Sequence, residues 1–204
     1  MAKDDYNVIV FKILTYVYAV LKRKTVFDIN GFKTAVGSID ENYINDLLDM
    51  MQEDSLQYKQ YISVLGKDKM PKSLSAFQKL KYENIEEYEK LNDHAFIQNN
   101  FNKGIWEDKV NFDKQKRHMQ STAGENKSYF YDDIDAEKLY YDYKMTRKFR
   151  RRNGVNENNL ELIDLDSIRS YGTNIYTNKP INEFTIHYNK SGAHLITTYN
   201  KRKG

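Results

Sequence analysis

The stretch from Glu183 to Tyr199 restricts the fold more than any other. Phe184, Ile186 and Tyr188 alternate with Thr185 and His187, which is the period of a strand with one face on a core. Asn189-Lys190-Ser191-Gly192 has turn chemistry, and Ala193 to Tyr199 reads as the returning strand. Register then decides which side chains meet. If Asn189 pairs with Gly192, His187 falls directly opposite His194, on the same face as Thr185. If Gly192 is a bulge, the two imidazoles fall on opposite faces. The first register is the expected one.

The N-terminal part has a different period. Asp4 or Asp5 can cap a helix starting near Tyr6, with Val10, Ile13, Leu14, Val17 and Leu21 at helical spacing. A short helix fits Asp28 to Val36 and stops at Gly37. Ser38-Ile39-Asp40-Glu41 has the form of a capping box, and Tyr43, Ile44, Leu47, Leu48 and Met51 line the helix after it. Leu74, Phe77 and Leu80, and then Ile85, Tyr88 and Leu91, suggest two more helices. Phe96, Ile97, Phe101, Ile105 and Trp106 are expected to anchor this connector on the C-terminal domain. Asp135 to Lys144 reads as a helix, Asn153-Gly154 as a turn, and Leu160, Leu162 and Leu165 as the start of a strand region that Ile168-Arg169-Ser170-Tyr171 continues.

Helices succeeded by a hairpin predict an α+β protein: a three-helix module like a helix-turn-helix core over 1–60, a helical connector over 61–108, and a small antiparallel β-sheet with a packed helix over 109–204.

Composition excludes several classes. The 204 residues contain no cysteine, which removes disulfide scaffolds, thiolate metal sites and a cysteine nucleophile. The most apolar run, Asn7 to Leu21, carries Lys12 and is too short to span a bilayer. A cytoplasmic protein with no membrane partner is expected. No P-loop, dinucleotide-binding glycine motif or nucleophile elbow is present.

Net charge is +3, but it is unevenly spread. Residues 1–110 carry 15 basic and 17 acidic side chains, and residues 111–204 carry 17 and 12. The excess lies in Arg147, Lys148, Arg150, Arg151 and Arg152 and in the tail Lys201-Arg202-Lys203, a distribution suited to phosphate. Three of the four histidines, His118, His187 and His194, lie in this basic part.

Two segments resemble known families. Met1 to Leu56, opening MAKDDYNVIVFKILTYVYAVLK, resembles the YjcQ-like winged-helix family of Gram-positive bacteria and their phages. Such folds bind DNA through their third helix. Here that helix carries Glu41, Asp46, Asp49 and Glu53 and no cation, and no wing pattern comes after Leu56. A protein contact or a homo-oligomer interface is therefore expected rather than DNA reading.

The second resemblance rests on Lys114-Gln115-Lys116-Arg117-His118, on Lys127-Ser128-Tyr129-Phe130, and on Ile186-His187-Tyr188-Asn189-Lys190-Ser191-Gly192-Ala193-His194-Leu195-Ile196. These look like the motifs of the polymorphic toxin type 50 domain, which also ends phage minor head proteins. That resemblance implies a barnase/RelE-like fold and a metal-independent endoribonuclease without cofactor. One departure is Tyr143 to Arg152, where the family has a short glycine-rich turn.

The residues offer what such chemistry needs. A ribonuclease without metal uses the substrate 2′-OH as nucleophile, a base, an acid, and cations on the phosphorane. His118 is the candidate base or acid, with His187 or His194 as partner. Lys114, Lys116, Arg117 and the arginine run are candidate phosphate contacts. Tyr129 and Tyr188 are candidates for a hydrogen bond or for stacking on a base. No two histidines have helical i, i+4 spacing, so no metal site is expected.

The expected partner is RNA, in a toxin encoded by a phage or mobile element. The combined resemblances also suggest an anti-CRISPR that docks on a type II-A CRISPR effector nuclease through its N-terminal module and trims the guide RNA. The alternatives are a non-catalytic inhibitor that binds RNA or protein and a winged-helix DNA-binding regulator.

Overall fold

The computed structural model describes residues 3–22, 28–37, 41–152, 155–165 and 170–201, with backbone only at 3–7, 21, 41, 43–44, 151–152 and 155–157. Ser38 to Asp40, Asn153-Gly154 and Ile168-Arg169 lie outside the described residues, so the capping box and the turn expected there do too. The chain divides into two compact units, Met1–Lys59 and Gln60–Gly204.

The first unit holds α1 (Lys3–Leu21), α2 (Ile29–Val36) and the start of α3 (Glu41–Leu65). Asp28 caps α2, its carboxylate accepting the Gly31 N–H at 2.6 Å and the Asn30 N–H at 3.3 Å. The Tyr16 hydroxyl donates to the Asp28 carbonyl at 2.9 Å and accepts the Asp28 N–H at 3.1 Å, tying α1 to this cap. Gly37, at φ 97°, ends α2. The small core is Ile9, Ile13, Phe32, Val36 and Leu47 with Tyr16 against it. The expected α1 stripe is corrected at Leu14 and Val17, which are exposed. The helix is apolar on both sides, so spacing alone could not choose its buried face. Among the described residues this unit contains no strand.

The second unit begins with the end of α3, then α4 (Leu74–Glu83) and α5 (Ile85–Asn102). Tyr61 and Tyr88 meet Phe77 edge-on at 5.9 Å. The buried residues of α5 are Asp93, Ala95, Ile97 and Asn100, while Ile85 is exposed. A short helix, α6 (Phe112–Gln115), runs into a 3₁₀ turn over Lys116–His118. Then come β1 (Tyr129–Phe130), α7 (Ala136–Tyr143), β2 (Phe149–Arg152), β3 (Val155–Asp164), β4 (Gly172–Asn174), β5 (Lys179–Pro180), β6 (Glu183–His187) and β7 (His194–Thr198). Two antiparallel sheets result, β1-β4-β5 and β2-β3-β6-β7, and the class is α+β.

The core face of the larger sheet carries Glu161 and Ile163 of β3, Phe184 and Ile186 of β6 and Leu195 of β7, all fully buried. Leu139 and Tyr140 of α7, Phe130 of β1 and Ile97 of α5 complete this core, with Phe101 and Trp106 against it. The connector thus shares one core with the sheet. Ile105 of the expected anchors is exposed. Gly172 lets β1 and β4 approach. A Cβ there would sit 2.0 Å from the Tyr129 carbonyl oxygen.

Arg150, Arg151 and Arg152 lie in the outer strand β2, and α5 holds the successive residues Arg147, Lys148 and Phe149 that lead into it. His94 Nε2 lies 3.0 Å from the Arg147 carbonyl oxygen, Lys148 reaches Glu89 at 3.4 Å and Glu86 at 3.5 Å, and Asp93 accepts the Phe149 N–H at 2.9 Å.

Candidate active site

The hairpin adopts the first register, with His187 opposite His194. Gly192 makes the turn at φ 98°, and its N–H donates to the Asn189 carbonyl at 3.1 Å. Residues opposite one another share a sheet face, so His187 and His194 point away from the Phe184–Ile186 core. Their rings are 4.8 Å apart.

The third imidazole arrives from another element. The end of α6 lies along β7, and the 3₁₀ turn after it brings the His118 ring 5.4 Å from His194, inclined by 21°. The structure therefore gathers His118, His194 and His187 in a row with His194 in the middle. Only His94 is apart, on the Arg147 carbonyl.

The surroundings of the row are cationic. Burial depresses all three histidines below the ordinary imidazole range, and positive neighbours add to this. His194 is lowered to about 4, by burial first, then by His187, His118, Lys114 and Arg117. His118 is lowered by burial, Lys127, Arg117 and His187, and His187 by burial, Lys114 and Arg150. Among the described residues, the leading charged groups acting on these rings are all cationic or imidazole. Among the described residues no cluster of His, Cys, Asp or Glu is arranged to hold a metal ion.

His194 carries a further mark. Its Nδ1 is buried and has no hydrogen-bond partner among the described residues. An unsatisfied lone pair costs less than an unsatisfied N–H. The ring proton of neutral His194 thus belongs on Nε2. An orphaned buried nitrogen in the middle of the row costs about 1–3 kcal/mol, a penalty that asks for a functional explanation.

The other candidates are sorted by the same geometry. Lys114, Arg117 and Arg150 lie close enough to the row to depress it, and Lys127, which was not among the expected contacts, joins them. Its place in the Lys127-Ser128-Tyr129 motif was the signal that could have found it. Lys116 is exposed, 3.6 Å from Asp113. Arg147 is exposed, and its backbone rather than its guanidinium is engaged. Lys148 is a correction: it is half-buried between Glu86 and Glu89 rather than free for a phosphate. The side chains of Arg151 and Arg152 are not among those described. Tyr129 is half-buried in β1, its ring 6.3 Å from that of Tyr131.

Tyr188 is the second correction. It is 1 % exposed and stacks on Trp106 at 5.3 Å, so no base can reach its ring. Its hydroxyl donates to Glu161 Oε2 at 2.5 Å. Glu161, unnoticed in the sequence, also accepts the N–H groups of Met145, Thr146 and Arg147 at 2.9, 2.8 and 2.8 Å. These bonds hold the segment between α7 and β2, with Met145 at φ 56°. Burial raises the Glu161 pKa to about 7 against these bonds.

A comparison with family models bears on the same segment. Residues 110–197 match the family described as Bacterial toxin 50. The match runs from the residue bridged to Ala193 through β7 and contains all three clustered histidines. This part of the chain is similar to a polymorphic-toxin C-terminal domain. No curated protein and no solved structure matches the chain. Among the described residues no helix is long and apolar enough to cross a membrane.

Proposed function

We propose that the protein is a metal-independent endoribonuclease whose site is the His118–His194–His187 row. The observation that carries this reading is the meeting of His118 with the His187–His194 pair of a hairpin about 70 residues downstream, inside a ring of cations. The toxin-family match over the same residues supports a nuclease-type activity.

The geometry suggests a division of labour. His194 is the most depressed and is neutral near pH 7, so its Nε2–H serves as a hydrogen-bond donor to a non-bridging phosphate oxygen. His118 and His187 flank it and carry the protons. One accepts the 2′-OH proton as O2′ attacks phosphorus. The other donates a proton to the departing 5′-oxygen. The products are a 2′,3′-cyclic phosphate and a 5′-OH. A dianionic phosphorane beside these rings offsets the cationic surroundings and raises their pKa values, which favours a protonated acid in the complex. Lys114, Arg117, Lys127 and Arg150 neutralise the rest of the charge.

The test is cleavage of a defined RNA in EDTA, with product ends identified. The wild type yields cyclic phosphate ends, and a 2′-deoxy nucleotide at the scissile position blocks the reaction. His118→Ala, His187→Ala and His194→Ala each lose about 10²-fold or more. Full activity in all three, or cleavage of the deoxy substrate, refutes the reading. A guide RNA, free and loaded in a CRISPR effector nuclease, belongs among the substrates. Selective cleavage of the loaded guide supports the anti-CRISPR role.

A further inference from the structure

Strand β7 is the outer strand of its sheet, so alternate backbone groups face away from β6 with no strand to bond them. Two outward-facing residues are nevertheless satisfied. Ala193 donates its N–H to the Lys109 carbonyl at 2.7 Å and accepts the Asn111 N–H at 2.7 Å. Leu195, the next outward residue, is satisfied by one side chain. Gln115 Oε1 accepts the Leu195 N–H at 2.7 Å, and Gln115 Nε2 is directed at the Leu195 carbonyl at 3.4 Å and at Met119 Sδ at 3.7 Å. The amide of Gln115 thus takes the place of a neighbouring strand.

We propose that Gln115 is the positioning residue that sets His118 against His194, a role that rests on the row being the ribonuclease site. Three features carry it. Gln115 is only 2 % exposed, and Leu195 and Ala193 are fully buried, so both ends of the clamp are fixed. The clamp lands on the residue next to His194. Three residues beyond Gln115, at the end of a single 3₁₀ turn, stands His118. A glutamine amide supplies both an acceptor for the N–H and a donor for the C=O at this reach. Glu offers acceptors alone, Met offers shape without strong bonds, and Asn is one methylene short. Gln115 spends its amide on Leu195 and Met119, and it acts through the placement of His118.

The experiment uses the full chain with Gln115→Met and Gln115→Glu. Imidazole resonances of the four histidines are tracked through a pH titration, beside RNA-cleavage kinetics and thermal melts. In folded Gln115→Met, His118 leaves its depressed value and titrates closer to the ordinary imidazole range. His94, which lies elsewhere, titrates as in the wild type. kcat falls about 10- to 100-fold while KM stays within about threefold, the split expected when alignment and not binding is lost. Gln115→Glu keeps the Leu195 N–H bond and retains an intermediate kcat. Should Gln115→Met fail to fold, Gln115→Glu carries the same two readouts. A folded variant whose His118 titration and kcat match the wild type overturns the proposal, as does a Gln115→Glu protein no more active than Gln115→Met. Absence of RNA cleavage by the wild type overturns the ribonuclease reading instead. The His118 titration in the variants then still reports whether the clamp exists.

Discussion

Tyr188→Phe separates a structural role for this tyrosine from the RNA contact its sequence position suggested. The substitution removes one atom, the hydroxyl that donates to Glu161 at 2.5 Å, and leaves the stacked ring in place. A hydrogen bond to a charged partner contributes about 1.5–3 kcal/mol, and one between neutral partners about 1 kcal/mol. Which value applies depends on Glu161, whose pKa is raised from 4.5 to about 7, chiefly by burial. A carboxyl raised in this way favours the folded state below pH 4.5, where it is protonated in both states. That advantage fades as pH rises through about 7 and the buried group ionises. The Tyr188 bond opposes this loss, because it favours the ionised form. The expected cost of Tyr188→Phe is therefore about 1 kcal/mol at pH 5 and about 2–3 kcal/mol at pH 8. For a chain of this length the pH 8 value lowers Tm by roughly 4–12 °C. Urea unfolding at the two pH values and melting curves measure it. RNA cleavage by the folded variant should stay within about twofold of the wild type. A variant as stable as the wild type but deficient in cleavage would refute the assignment. So would a larger stability loss at pH 5 than at pH 8.

Two further predictions concern the basic side chains and pH. Lys148→Ala should leave kcat/KM within about twofold, because Glu86 and Glu89 already engage its ammonium, whereas Lys114→Ala and Arg117→Ala should each lower it about tenfold or more; kinetics at fixed ionic strength compare them. His94 is lowered from 6.5 to about 4, by burial first, so its contribution to stability is present above pH 6.5 and is lost as pH falls through about 4. His94→Gln keeps a donor for the Arg147 carbonyl without titrating, so its urea midpoint should fall less than the wild type's between pH 7 and 4.5, and an unchanged pH dependence would contradict this.

The pairing of His187 with His194 was legible because one alternating run, one glycine turn and one return strand specify it locally. The helix from Asp28 to Val36 and its stop at Gly37 were likewise legible, because the residues that begin and end it are its immediate neighbours. What stayed hidden depended on a second element. Tyr188 shares the period of Phe184 and Ile186, which marks its core side, but its partners Trp106 and Glu161 come from elsewhere in the chain and could not be read from that period. The strand that holds the arginine run could not be seen, because nothing near it in sequence announces that Asp93 and Glu161 take up backbone N–H groups around it. Gln115 stood inside a recognised motif, but its purpose is visible only where it meets Leu195. His118 could be nominated as a candidate, but its contact with His194 could not be read from spacing.

The late arrival of β7 has a consequence for biosynthesis. Gln115 waits for a strand 80 residues downstream, and His118 for the ring beside that strand. A ribosome part-way through the message therefore displays an unfinished, one-imidazole fragment. The complete triplet can assemble only after residue 194 has left the exit tunnel, so whatever chemistry the row performs is delayed until that point of synthesis.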